Sequence, residues 1–242
     1  MPFGIVVISR KHVGWVFTGL GSLGAIITAV LSYTYAPGVD PDAWKAPEAY
    51  RILFWHVPFA WTSFIAFTIL FIGSIAWYAR RKEWGWRLVA TGSDLGLLFG
   101  LGVVISGPIW GAAEWGVPWD WGDLRLNTYA LLTGVALFIV LSRRSQADGI
   151  NTRDTLSTVG LFGFALVPIT ILATTLYRER HPGLIIVKSE DSGLDPEISR
   201  VLLIGVLSFS LLMIGLSILT ELSYRLQDEL TKLQQRLDEV VH

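Results

Sequence analysis

The stretch Leu95–Leu126, LGLLFGLGVVISGPIWGAAEWGVPWDWGDLRL, decides how this chain folds. Its first 19 residues carry no charge, whereas the twelve from Trp115 onward hold three tryptophans, two aspartates and an arginine. A hydrocarbon layer of about 30 Å is crossed by about 20 helical residues at 1.5 Å each, so the uncharged part has the length of a membrane span. The change at Glu114–Trp115 then marks where the chain leaves the apolar layer. Composition agrees: of 242 residues, 52% are hydrophobic and 16% charged, against roughly 25% charged in a soluble domain.

Working outward, six segments are predicted to span: 13–33, 58–79, 88–109, 127–142, 156–177 and 201–221. The fourth is short and is expected to borrow residues from its flanks. Pro58 is expected to begin or kink the second, leaving YRILFWH (residues 50–56) as an interfacial lead-in. The first apolar run, after Arg10 and Lys11, is too long for a typical cleaved signal core and is read as a retained span. The fold class is therefore an all-α polytopic membrane protein with a six-helix membrane domain over 1–221. An even number of spans puts both termini on one side. Twelve of the 19 Lys and Arg residues fall at that side, so the positive-inside rule predicts cytoplasmic termini. Loops 34–57, 110–126 and 178–200 are then extracytoplasmic. Residues 222–242 form an amphipathic cytoplasmic helix: Leu219, Leu222, Leu226, Leu230, Leu233, Leu237 and Val240 follow three- and four-residue steps. That stripe is too short to argue a coiled coil and suits either the inner membrane surface or a partner helix.

Several functions are excluded. A net charge of −1 gives no field for nucleic acid. With no cysteine there is no disulfide, no thiolate site and no thioether attachment of heme to this chain. GLGSLG (residues 19–24) matches a dinucleotide fingerprint but lies inside a span without a preceding strand, so its glycines are read as helix-packing positions. Gly92, Gly96 and Gly100, at four-residue spacing in the third span, are read the same way. No Gly-Lys dipeptide occurs, hence no Walker A loop, and an ATP-driven step would need another subunit. No hydrolytic constellation is present, and an enzyme is not expected. Asp94, an acid inside the third span, is a functional candidate by default, although hydrogen bonding within the bundle is the plainer reading.

Four of the eleven tryptophans, Trp110, Trp115, Trp119 and Trp121, fall within twelve residues. An aromatic belt at the membrane interface accounts for Trp15, Trp77, Trp84 and Trp86. It accounts less well for the loop, where Gly116, Pro118, Asp120, Asp123 and Arg125 surround the rings. Gly and Pro fix a compact turn, while the acids and the arginine add directed polar contacts. Such a surface suits a flat apolar ligand bearing anionic groups; a belt remains the alternative. His12 and His242 are read as incidental. His56, in RILFWHVPFAW, and His181, in TLYRERHPG, flank the tryptophan loop at the extracytoplasmic ends of the second and fifth spans. Neutral imidazoles are common ligands of heme iron, and with no Cys or Met nearby a bis-histidine site would be the natural arrangement.

RILFWHVPFAW, the six-span pattern and WGVPWDWGDLRL together resemble the CcmC proteins of cytochrome c maturation, within the wider WWD-domain heme-handling family. The resemblance covers roughly residues 45–221. It implies that the 110–126 loop holds heme b transiently at the outer face of the cell inner membrane, with His56 and His181 as axial iron ligands. It also implies presentation of heme to the chaperone CcmE, where the covalent chemistry occurs, beside an ABC-type complex of CcmA and CcmB with the small protein CcmD. The family form runs W-G-x-x-W-x-W-D-x-R-L, whereas here Gly122 separates Trp121 from Asp123. Trp115, Gly116, Trp119, Trp121 and Arg125 carry over directly. Asp123 has a rival in Asp120, Pro118 shapes the turn, and Trp110 joins by proximity.

Competing readings differ in what they require. A CcsA-like cytochrome c synthase subunit resembles this chain but has more spans and further histidines. A permease subunit of an ABC-type transporter needs polar residues along several spans. A redox protein with heme between its helices needs histidines well inside the spans, and the sequence has none there.

Overall fold

The computed structural model describes residues 3–176 and 194–241. Among the described residues every regular element is helical: α1 Phe3–Thr34, a 3₁₀ turn Pro47–Ile52, α2 Leu53–Arg80, α3 Glu83–Glu114, α4 Leu124–Ser145, α5 Ile150–Gly163, α6 Leu166–Leu176 and α7 Pro196–Val241. They supply six helical segments long and apolar enough to cross a membrane. α5 and α6 together make the fifth of these.

Two antiparallel pairs organise the bundle, α2 with α3 and α1 with α7. Small residues let both pairs approach closely. A Cβ on Gly92 would lie 2.4 Å from the backbone N of Leu70, and one on Gly21 would lie 2.4 Å from that of Leu212. Both glycines sit in the stripes read from the sequence, and this is how helices associate where the hydrophobic effect between them is weak. Phe67, Leu70, Val89, Leu132, Ile139 and Leu156 then pack α2 to α5 into one core. Phe99, Phe209 and Met213 carry packing from α3 across to α7. α1 stays peripheral, with Trp15, Leu20, Leu23 and Ile26 turned outward.

Three elements depart from the sequence reading. α2 starts at Leu53 and runs through Pro58, so His56 lies in its first turn and is not part of an interfacial lead-in. Pro58 is the sixth residue of the helix, so its missing N–H leaves the Phe54 carbonyl without the usual donor four residues on. The fifth span is broken at Phe164–Ala165. Pro168 cannot donate to the carbonyl four residues back and its ring crowds it; the chain closes tighter bonds instead, Ala165 N–H to Phe162 O at 3.1 Å and Val167 N–H to Phe164 O at 2.9 Å. Trp77 is no belt residue: it is 4% exposed, donates to Asp154 at 2.8 Å, and lies under the guanidinium groups of Arg81 and Arg153.

The fourth span does extend into its flanks, as Leu124–Ser145. The amphipathic segment continues the sixth span without a break, in a single helix of 46 residues. Leu226, Leu230, Leu233, Leu237 and Val240 are all exposed along it.

Candidate functional site

One end of the bundle gathers the 115–123 loop, the segment between α1 and α2, the first turn of α2 and the last turns of α3. Asp123 starts the construction. As the N-cap of α4, its Oδ1 accepts the Arg125 backbone N–H at 2.9 Å, supplying a partner for an otherwise orphaned donor. The same carboxylate grips the Arg125 guanidinium through Nε–Oδ1 at 3.0 Å and Nη2–Oδ2 at 2.5 Å. Burial disfavours the ionised carboxyl of Asp123, but the hydrogen bond and charge of Arg125, with the amides of Arg125 and Leu126, outweigh it and hold the group below the usual carboxylate range. Arg125 itself is 7% exposed.

Asp120 does different work. Its Oδ1 accepts the Gly122 N–H at 2.8 Å, and its carbonyl accepts the Asp123 N–H at 3.0 Å. This is an aspartate-initiated turn, and Gly122 sits inside it. The extra glycine is absorbed by the turn, so Asp123 and Arg125 reach the helix as a pair. Gly116 takes φ +78°, a left-handed conformation that favours glycine, and bends the chain after Trp115.

The indoles form two groups. Trp44, Trp110 and Trp115 make a row: Trp44 stacks on Trp110 with centroids 6.3 Å apart, and Trp110 meets Trp115 at 5.2 Å. Trp110 is buried in the middle of that row, at 8% exposure. Trp119 meets Trp121 edge-on at 5.8 Å, and Trp121 is left 83% exposed. Pro118 is exposed between the two groups.

Glu114, the last residue of α3, fastens the neighbouring loop by accepting the Lys45 and Ala46 N–H groups at 3.2 and 2.9 Å. Sequence reading missed Trp44 and Glu114. The only signal was that loops 34–57 and 110–126 share a side of the predicted bundle.

His56 lies on α2, its Nδ1 2.9 Å from Ser106 Oγ on α3. The Ser106 hydroxyl is also 2.6 Å from Gly102 O; when it donates there, Oγ is left to accept from a protonated His56 Nδ1. That tautomer carries its lone pair on Nε2 and is the form a metal-ligating imidazole takes when its other nitrogen is held. Ser106 is four residues before Trp110, about one turn or 5.4 Å along α3. His181 lies outside the described residues.

Three buried polar atoms close by, Trp119 Nε1, Arg125 Nη1 and Asn127 Oδ1, have no hydrogen-bond partner among the described residues. Such atoms normally find one. Trp119 and Arg125 thus each bring to the loop a donor closed off from solvent.

At the opposite end, Asp94 is paired. Arg143 donates to it at 2.8 Å, Tyr224 donates to its other oxygen, and Arg143 also reaches Tyr224 Oη at 2.8 Å. Beside it, Arg87 bridges Glu221 and Asp228, each at 3.0 Å, and Arg10 adds Glu221 at 2.7 Å. The plainer reading of Asp94, hydrogen bonding inside the bundle, is the one the structure shows.

Fold and sequence thus define a polytopic helical membrane protein with a cluster of tryptophans gathered at one end. A profile of the CcmC family, described as heme exporter protein C, matches residues 5–236, and the chain belongs to that family. Heme exporter protein C of Bradyrhizobium diazoefficiens is 24% identical over 215 residues, covering 89% of this chain and 79% of that protein. The protein of the same name from Rhodobacter capsulatus is 22% identical over 226 residues, 89% of this chain and 92% of its own length. A putative cytochrome c biosynthesis ccmC-like mitochondrial protein of Arabidopsis thaliana is 30% identical over 146 residues, 60% of this chain and 55% of its own. The family gives this multi-pass membrane protein a part in cytochrome c maturation and in the handling of heme.

Proposed function

We propose that this chain captures heme b as cargo at the extracytoplasmic face of the cell inner membrane and presents it to a CcmE-type chaperone. The observation that carries the reading is the chain Gly102 O to Ser106 to His56, one turn along α3 from the tryptophans. It would orient an imidazole with its lone pair on Nε2, near the end of α3 that carries the indole row. His56 would bind iron from one side. His181 is proposed as the opposite ligand from its place in the sequence alone. Trp115, Trp119 and Trp121 would cover the macrocycle by apolar contact, on a loop that Arg125 braces through Asp123.

Asp123 and Asp120 serve the platform indirectly, one holding Arg125 and the other the turn. Bond formation to heme is assigned to the chaperone, so the chain acts as a holder and not as an enzyme. It would work in lipid beside CcmA, CcmB and CcmD, with both termini cytoplasmic. The pairing of Asp94 with Arg143 and Tyr224 weighs against a permease, since it removes the one acid that could line a polar path.

The test is the visible spectrum of purified protein after heme supplementation, with His56→Ala, His181→Ala and the double substitution. Six-coordinate low-spin heme in the parent, turning high-spin or lost in each variant, is expected. A parent that takes up no heme, or spectra unchanged in both variants, would overturn the ligand assignment.

A further inference from the structure

The charges at the tryptophan end are unequally committed. Arg125, the cation singled out in the loop, already has Asp123 on two of its nitrogens. Only Nη1 is uncommitted, and the pair as a whole is neutral. Arg51 is likewise consumed: it binds Glu48 at 2.8 Å, Tyr50 Oη at 3.2 Å and the carbonyls of Ser32 and Ala36. Arg200 donates to Tyr35 Oη at 2.8 Å. Lys45 differs. It is exposed, and among the described residues no carboxylate lies within ion-pair distance of its ammonium.

Its placement is built from several contacts. Glu114 holds the amides of Lys45 and Ala46, and Trp44 is stacked into the indole row. The backbone at residues 44–46 is thereby fixed to the end of α3. The ammonium lies over the bend of the tryptophan loop: a Cβ on Gly116 would be 3.2 Å from Lys45 Nζ. A lysine is a mobile point charge on a flexible stem, suited to an anion whose position is set by other contacts. The proposed ligand is such an anion, because heme carries two carboxylates on one edge and is oriented by its iron and its faces.

We propose that Lys45 is the cation that recognises a heme carboxylate, and that residues 44–46 form an arm of the site with the tryptophan loop. The inference rests on the heme-holding reading above and names the residue that selects the acidic edge. Arg125 keeps a chiefly architectural role, bracing the loop through Asp123.

The experiment compares hemin with hemin dimethyl ester, which keeps the macrocycle and iron but lacks the charged edge. Both are titrated into the full chain in nanodiscs at low and high salt. Lys45→Ala is expected to weaken hemin about two- to fivefold at low salt, the range of an exposed ion pair, and Lys45→Glu to weaken it further. Lys45→Arg retains binding, the ester is indifferent to all three changes, and the difference shrinks as salt rises. Equal losses for hemin and ester, or no loss for hemin, would overturn the assignment. A parent that binds neither compound would overturn the heme-holding reading itself. His56→Ala that binds both as the parent does would remove only the axial ligand, leaving the Lys45 comparison intact.

Discussion

Ser106→Ala removes one oxygen and tests how the imidazole is held. That oxygen lies 2.9 Å from His56 Nδ1 and 2.6 Å from Gly102 O, in a position only 9% exposed. Alanine fills nearly the same space and suits a helix, so the global cost is small. The local cost falls on His56, whose Nδ1 loses this partner; the contact is partly buried, so the cost is about 1 kcal/mol, that of an ordinary hydrogen bond. The ring can then rotate or change tautomer, and the lone pair is no longer pinned to Nε2. Outer partners of metal-bound histidines typically contribute 10- to 100-fold to affinity, and a loss of about that size is expected for hemin. Without a hydrogen bond on Nδ1 the imidazole is also a poorer electron donor, so the bound heme is expected to be easier to reduce. Titration of hemin into nanodisc-embedded protein, followed in the Soret region, measures the first effect; a spectropotentiometric titration measures the second. Ser106→Thr keeps the hydroxyl and should stay close to the parent. If Ser106→Ala matches the parent in both affinity and potential, the serine does not set the histidine, and the tautomer argument fails.

The Asp123 carboxyl ionises more readily in the folded loop than in the free chain. Its stabilising contribution is present above about pH 4, the ordinary value, and is lost as pH falls through the lower folded value. Tryptophan emission should report loop opening below pH 4, and Asp123→Asn should remove that transition and loosen the loop at neutral pH. Glu114→Gln weakens charge-assisted bonds to two amides, each of roughly 1.5–3 kcal/mol. Hydrogen exchange at Lys45 and Ala46 should accelerate while α3 stays protected. Arg143→Ala leaves Asp94 without its counter-charge, at a cost of up to roughly 3–5 kcal/mol. Thermal unfolding in detergent should recover in part when Asp94→Asn is added; no recovery would show that the pair is not coupled.

The spans were legible because membrane crossing needs only length and apolarity, and glycine spacing marked Gly92 and Gly21 as close-packing positions, although their partners Leu70 and Leu212 show only in the structure. The break at Phe164–Ala165 was harder to read. It depends on how the chain satisfies carbonyls ahead of Pro168, and a hydropathy window cannot register that. The tryptophan loop was visible as a composition, but the division of labour between Asp120 and Asp123 was not. One residue of spacing decides which carboxylate reaches the helix N-terminus, and only the turn through Gly122 reveals it. Trp44 and Lys45 belong to a different loop, which Glu114 at the end of α3 ties on. Their arrival at the site depends on tertiary packing, and nothing local in PDAWKAPEAY (residues 41–50) signals it.

α7 reaches both ends of the molecule as one continuous helix of 46 residues, about 69 Å at 1.5 Å per residue. Near its start, Ile198, Val201 and Leu202 pack under Tyr50 and Phe54, beside His56. Past its middle, Glu221, Tyr224 and Asp228 are clamped by Arg10, Arg87 and Arg143. The helix that anchors the charged cluster at one end thus also packs beneath the segment from which α2 starts, with no loop between the two stations.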